Sequence, residues 1–320
     1  MSNQRLNGWN KQKPVLTYAN NRKFETGLRK ATLYADLGLA EATGGQFHGE
    51  IIKVNPDYSA PDEENQTTGM HRHHYDFKFN YVLAGEIDIV IDGEGEATCR
   101  AGDTYFIPSG VLHNETRVTE DFQVMQIYGP AKAQTDTVVQ AGGGEVSDEW
   151  ADKLSKMKEQ RLTGWNKQKS SFTFTKERKY GPGLRRAVLY ANLGLTEATG
   201  GNFHGELQKP NPEKHTDQGT TGMHRHDYDF QFNFVLAGEI DLVIDGIDDK
   251  ITFRAGDTFF LPHKILHNET RVSDDFQNLQ VYGPTKSNTV QLEPEIDWCK
   301  NWPSWAKRKA VPYGLSLLEI

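Results

Sequence analysis

The second half of this chain repeats the first, and a duplicated unit constrains the fold before any single residue is weighed. Arg5-Leu-Asn-Gly-Trp9 returns as Arg161-Leu-Thr-Gly-Trp165, and Glu41-Ala-Thr-Gly-Gly-Gln-Phe-His48 returns as Glu197-Ala-Thr-Gly-Gly-Asn-Phe-His204, each 156 positions on. His71 to Gly93 matches His224 to Gly246 at 19 of 23 positions, with the offset now 153. Three residues are missing from the Pro- and Asn-rich segment before His224 and one is added near Asp248, and loops are where length changes are tolerated. Two copies of one domain account for 320 residues at ordinary domain size.

Each unit reads as short apolar or alternating runs punctuated by Gly, Asp and Pro, the pattern of an all-β sandwich or barrel. Leu83-Ala-Gly-Glu-Ile-Asp-Ile-Val-Ile91 is followed by the hairpin signal Asp92-Gly93, then by the Ala101-Gly-Asp103 turn and Thr104-Tyr-Phe-Ile107. The expected units are residues 1–146 and 161–292. A short helix over 147–160 connects them, with Ser147 as N-cap and Trp150, Leu154 and Met157 on one face. Residues 293–320 form a docking tail; Trp298, Trp302 and Trp305 are helically spaced, but Pro303 breaks the helix.

A net charge of −8 disfavours a nucleic-acid partner, which is held by neutralising phosphates. No run approaches the roughly 18 apolar residues of a membrane span, and Met1 to Lys13 lacks the apolar core of a signal peptide, so a cytoplasmic protein is expected. Cys99 and Cys299 are isolated, supporting neither a disulfide framework nor a thiolate zinc site.

Each unit carries one H-x-H pair, His71/His73 and His224/His226, and residues two apart on a strand project to the same face. A third histidine, His113 or His267, follows about 40 residues later, after a Gly-Asp turn and a Pro. Two imidazoles from one strand and one from a neighbour can form a three-nitrogen face with open positions, suited to Fe, Mn, Ni, Cu or Zn. A lone H-x-H is an ordinary surface pair; the third histidine in phase, and the recurrence of the whole arrangement, favour a metal site.

These residues resemble the two signature motifs of the cupin superfamily: His71-Arg-His73 with Gly85, then Gly102-Asp-Thr-Tyr-Phe-Ile-Pro108-Ser-Gly110-Val-Leu-His113. The second unit has His224-Arg-His226 with Gly238, then Gly256-Asp-Thr-Phe-Phe-Leu-Pro262-His-Lys264-Ile-Leu-His267. The resemblance implies a bicupin, two tandem jelly-roll β-barrels each able to hold one divalent ion, with Fe(II) preferred. Cupins commonly add a Glu five residues after the second His, and here those positions are Lys78 and Gln231. Gln231 can still offer a carbonyl oxygen as a ligand, whereas Lys78 cannot ligate while protonated. The two sites are therefore expected to differ. Lys264 replaces a motif Gly and is expected to reshape the turn carrying His267.

With neutral ligands alone a divalent ion keeps its full charge, which favours a small anionic chelator such as an enolate, keto acid or phenolate. Lys78 either pairs with a substrate carboxylate or acts as a base, or else points to solvent. His48 and His204, each two residues before a Glu, are candidate acid/base groups or simply strand histidines bonded to that Glu. Asp76 and Asp229 are candidates to orient a ligand imidazole, while His74, His215 and His263 lack counterparts and read as surface or loop residues. Phe77, Phe79, Tyr81 and Leu83, with Phe230, Phe232, Phe234 and Leu236, form stripes facing away from Lys78 and Gln231. They point into a contact between barrels or between chains, leaving room for a homo-oligomer. The leading functional expectation is an Fe(II) dioxygenase; a non-redox lyase, isomerase or hydrolase, and a non-catalytic binding or storage bicupin, are the alternatives.

Overall fold

A computed structural model describes residues 12–27, 29, 31–58, 68–132, 135–137, 168–214 and 221–291. The helix expected over 147–160, the tail over 293–320, Cys299 and His215 lie outside the described residues, as do the boundaries between the units. Each unit is a pair of sheets, seven-stranded and five-stranded, and every pairing among the described residues is antiparallel. This is the doubled jelly roll, with helix among the described residues confined to single turns such as Leu39–Ala42 and Leu195–Ala198.

In the first unit the larger sheet centres on Phe77–Ala84, Gln123–Gly129 and His48–Val54. The smaller contains His71–His73, His113–Val118 and Glu86–Ile91. Glu86–Ile91 and Gly95–Arg100 form the hairpin announced by Asp92-Gly93, with Ile91 opposite Gly95 and Gly93 at φ +74°, where a side chain would be strained. The second unit repeats this arrangement strand for strand.

The units exchange their first strands. Val15–Thr17 lies at the edge of the second unit's large sheet against Thr258–Phe260, with Leu16 opposite Phe259, and Ser171–Thr173 lies reciprocally against Thr104–Phe106. Matched threonine pairs mark both seams, Thr17 with Thr258 at 2.6 Å and Thr104 with Thr173 at 2.7 Å between hydroxyl oxygens.

Period-2 alternation sorts the strand Phe77–Ala84 into two buried faces. Phe77, Phe79 and Tyr81 join Phe230, Phe232 and Phe234 in one apolar cluster that spans both barrels. There Phe77 stacks on Phe203 at 4.0 Å between ring centroids, and Phe47 lies against Phe230 at 4.2 Å. The aromatic stripes therefore meet within one chain. Each fully buried Phe contributes about 1.5–3 kcal/mol through lost water contact, so this seam holds the barrels together as firmly as a domain core does. Separate apolar clusters fill one end of each barrel, Val82, Ile89 and Val124 among them in the first and Val235, Leu242 and Phe259 in the second.

The turn before the third histidine is the same in both units. Gly110 has φ +77° and donates its N–H to His73 O at 2.9 Å; Lys264 has φ +61° and donates to His226 O at 3.0 Å. Lys264 thus does not reshape the turn. The two flanking hydrogen bonds hold a non-glycine residue in the left-handed region, at a cost of about 1–2 kcal/mol.

Candidate metal centres

In each unit three histidines converge, as the spacing predicts. His71, His73 and His113 form one group and His224, His226 and His267 the other, with a potential ligand atom from each residue lying within 4.8 Å of the other two. Pairing delivers the third imidazole: His113 sits directly opposite His71, and His267 opposite His224.

The hydrogen bonds set the tautomers. His71 Nδ1 is 2.9 Å from Gly69 O and His113 Nδ1 is 2.9 Å from Val111 O, and a carbonyl can only accept, so each Nδ1 carries the proton. His224 and His267 are held the same way by Gly222 O and Ile265 O. His73 Nδ1 meets Thr135 Oγ1, and His226 Nδ1 meets Thr289 Oγ1, both at 2.8 Å. Nε2 lone pairs therefore face the common point. Those of His113 and His267 are buried with no hydrogen-bond partner, a costly arrangement for a polar nitrogen unless a cation uses it. Burial pushes the imidazoles below their ordinary range, to about 4 for His113 and His224 and about 2 for His226, so all are neutral donors at neutral pH. Asp76 and Asp229 do not orient these rings; carbonyls and threonines hold that place.

The sequence reading missed one carboxylate per centre. Glu115 lies two residues beyond His113 on the same strand, and its oxygens are 3.6 Å from His71 Nε2 and 4.0 Å from His113 Nε2. Glu269 stands likewise 3.7 Å from His224 Nε2 and 3.8 Å from His267 Nε2. A threonine fixes each: Thr68 Oγ1 donates to the Glu115 carboxylate and accepts its backbone N–H, and Thr221 does the same for Glu269. Burial alone would raise the Glu115 pKa, but the facing His71, His113 and Lys78 outweigh it and hold the carboxyl near 2. Glu269 is lowered in the same way by His224, His267 and Arg185. Each triad of imidazoles can hold a divalent ion, and an ionised carboxylate that the all-neutral set expected did not include stands beside two of its three rings. The signal was available: in H-N-E, as in H-x-H, residues two apart share a face.

Lys78 points inward. It is 8% exposed, and its Nζ donates to His73 Nε2 at 2.8 Å. Burial lowers its pKa, opposed by Glu115 and Glu50. Gln231, its repeat counterpart, is 3% exposed. Arg29 and Arg185 flank the two centres alike, donating to Thr68 O and Thr221 O at 3.4 and 3.5 Å. Arg185 also lies 3.5 Å from His224 Nε2.

His48 and His204 bond Glu50 and Glu206 at 3.1 and 3.2 Å, and each is connected to its centre through two tyrosines that the sequence reading passed over. From His73 the rings run to Tyr75 at 4.9 Å, Tyr128 at 4.3 Å and His48 at 5.0 Å. The second unit repeats the stack as His226, Tyr228, Tyr282 and His204, at 4.7, 4.2 and 5.1 Å. Tyr75 lies in the connection just beyond the strand His71–His73 and stacks back on the His73 ring. His74 and His263 are not surface residues. His74 is buried against Asp136, and His263, 1% exposed at its side chain, has Nδ1 2.9 Å from Tyr228 O and 3.9 Å from an Asp229 oxygen. Both sit in loops next to ligand-bearing segments, His74 directly after His73 and His263 four residues before His267.

Comparison with known proteins agrees with this geometry. The cupin domain family pattern matches residues 62–128 and 215–276. No curated protein sequence matches the chain. Among solved structures, a Bacillus subtilis oxalate decarboxylase described for its Mn(II) centres is 13% identical, covering 90% of this chain and 81% of its own at a TM-score of 0.57. The oxalate decarboxylase of Lactobacillus farciminis, solved as a formate complex, is 11% identical, covering 87% and 88% at 0.56. At these identities the likeness is one of fold. Each family match falls in a jelly-roll barrel that carries a histidine triad, so the chain contains two cupin domains in tandem.

Proposed function

We propose that the chain is a metal-dependent enzyme acting on a small, anionic, oxygen-rich chelating substrate. The observation that carries this reading is the convergence of three neutral imidazoles in each unit, the Nε2 atoms of His113 and His267 buried without a hydrogen bond, beside an ionised carboxylate that we read as a fourth donor. Such a set leaves coordination positions open for substrate. One carboxylate leaves a divalent ion with a residual single positive charge, which a bidentate enolate or keto acid neutralises.

We assign the chemistry to the second centre, where Gln231 supplies a further carbonyl oxygen and Arg185 stands ready for a substrate carboxylate. His204, hydrogen-bonded to Glu206 and stacked through Tyr282 and Tyr228, is the acid/base group of this reading. His48 and Glu50 occupy the same place in the first unit. A bound metal would supply Lewis-acid or one-electron chemistry at the chelated oxygens.

Fe(II)-dependent oxygenation is one reaction class for this set, since open positions beside imidazole and carboxylate ligands suit O₂ together with a chelate. Non-redox cleavage releasing CO₂ is the second, favoured by the fold shared with two oxalate decarboxylases, one of them described for Mn(II) centres. Protein loaded separately with Fe(II), Mn(II) and Zn(II) is offered keto acids, β-diketones, catechols and dicarboxylates, while O₂ uptake and CO₂ release are followed. O₂ uptake confined to the iron form identifies the first class, and CO₂ release without O₂ the second. The absence of turnover with every metal and substrate of the panel, or turnover in His224→Ala equal to wild type, refutes the metal-dependent enzymatic reading.

A further inference from the structure

The two centres share their fold, their three histidines, the carboxylate with its threonine clamp, and a flanking arginine. The inward residue in contact with a triad histidine differs, Lys78 against Gln231, at the same register: Lys78 lies opposite Tyr128 and Gln231 opposite Tyr282; elsewhere in the interior Ile52 and Val124 give way to Gln208 and Asn278, which changes polarity and not charge. The Lys78 ammonium donates to the His73 lone pair at 2.8 Å, and its charge is felt by the Glu115 carboxylate. A lone pair and a carboxylate are the two things a metal ion would need there. A divalent ion entering the first centre must break the Lys78–His73 hydrogen bond and then share a buried site with a positive charge. An arginine flanks each centre; Arg185 reaches 3.5 Å from His224 Nε2, a longer contact than the 2.8 Å between Lys78 and His73.

We propose that Lys78 is a built-in cation that keeps the first centre closed to metal, so that the chain holds a single tightly bound divalent ion, in the second centre. This rests on reading the triads as metal sites. Lys78 thereby determines cation occupancy and preserves the first centre as a preorganised copy that binds no metal.

The test is Zn(II) stoichiometry and affinity on the full chain, by elemental analysis after gel filtration and by titration calorimetry, with thermal unfolding as the check on folding. Wild type is expected to hold one tight ion, lost in His224→Ala and retained in His71→Ala. Lys78→Gln gains a second tight ion, with affinity for the first centre rising at least 100-fold. Lys78→Met, which removes the charge without adding a ligating oxygen, also gains it. Gln231→Lys loses the resident ion. Two ions of equal affinity in wild type, or one ion in both Lys78 variants, overturns the proposal while leaving the metal reading intact. No ion in wild type or in either variant overturns both.

Discussion

Removing the charge of Glu269 while keeping its shape isolates what the carboxylate contributes to the second centre. Glu269→Gln retains an oxygen to accept from Thr221 and alters no packing volume. Its carboxylate oxygens lie 3.7 and 3.8 Å from the Nε2 atoms of His224 and His267, so an ion seated among these nitrogens is within bonding or near-bonding distance. Unit charges about 4 Å apart interact by about 4 kcal/mol at an effective dielectric near 20, and a doubly charged ion doubles that ceiling. If solvent and the Gln dipole recover half of it, about 4 kcal/mol is lost, or roughly 1,000-fold in affinity at about 1.4 kcal/mol per decade. In a thermal-shift assay with Zn(II) at about 1,000 times the wild-type Kd, the ion stabilises wild type by about 4.1 kcal/mol and the variant by well under 1 kcal/mol. The metal-free forms should melt within about 2 °C of each other, because losing a buried charge offsets losing its attraction to Arg185. Glu115→Gln, made in parallel, leaves the tight ion unchanged if the first centre holds none. A Glu269→Gln affinity within threefold of wild type would refute the four-donor centre and return the ligand set to three histidines.

Three other perturbations probe the scaffold. Val15→Pro and Leu16→Pro, made separately, should between them remove at least one ladder bond to Thr258–Phe260, since edge-strand N–H groups alternate between partner and solvent. The expected cost is about 1–3 kcal/mol, with amide exchange accelerated at Thr258–Phe260 and not at Thr104–Phe106; equal acceleration at both seams would contradict the exchange of strands. Asp241 is buried and accepts from Arg271, Lys250 and Thr252, and against the opposing effect of burial these hold its pKa near 2, below the ordinary 3.8. Its contribution is therefore present above about pH 4 and lost as pH falls toward 2. Asp241→Asn should lower stability to urea at pH 7 and flatten the acid limb, and parallel pH profiles for the two proteins would count against the pairing. Lys264→Gly relieves a left-handed backbone worth about 1–2 kcal/mol, less about 0.4–1 kcal/mol of added unfolded-state entropy. Its melting temperature should rise slightly, and a fall would show that the Lys side chain, 3.7 Å from Asp227, outweighs the strain.

The doubled β architecture and six imidazole donors were legible because they rest on short-range rules: a repeat offset, hairpin signals, and the period of a strand. What escaped depended on which face of a strand is wet. Phe77-Lys78-Phe79-Asn80-Tyr81 alternates as a half-exposed strand does, yet both faces are buried, with Asn80 fully inaccessible. The apolar face meets the other barrel and the polar face lines the interior beside the centre. The same rule that paired His71 with His73 places Glu115 beside His113, but an acid on a strand is ordinary surface composition until a neighbouring strand is known to close over it. His74 and His263 lie in loops, as one of the two alternatives had it, but their side chains are buried, which the lack of a repeat counterpart could not show. Strand exchange had no sequence signature, because Val15–Thr17 and Ser171–Thr173 are each as compatible with their own barrel as with the other.

That exchange changes what the duplication means. Two barrels that each contained all their strands could diverge independently, and the loss of one centre would leave the other untouched. Here Val15–Thr17 extends the sheet of the second unit beside Thr258–Phe260, whose other neighbour is Phe230–Ala237, the strand bearing Gln231. The reciprocal strand supports Thr104–Phe106, which flanks the strand bearing Lys78. Each centre is therefore braced by a segment encoded in the opposite half, and the shared aromatic seam adds a second constraint on the same strands. A barrel that bound no metal would still be required to hold its partner's centre in register. On that argument the first unit keeps its three histidines, its clamped carboxylate and its tyrosine stack for scaffolding as much as for chemistry, and the Lys-for-Gln difference can alter one centre's cation without loosening the other's walls.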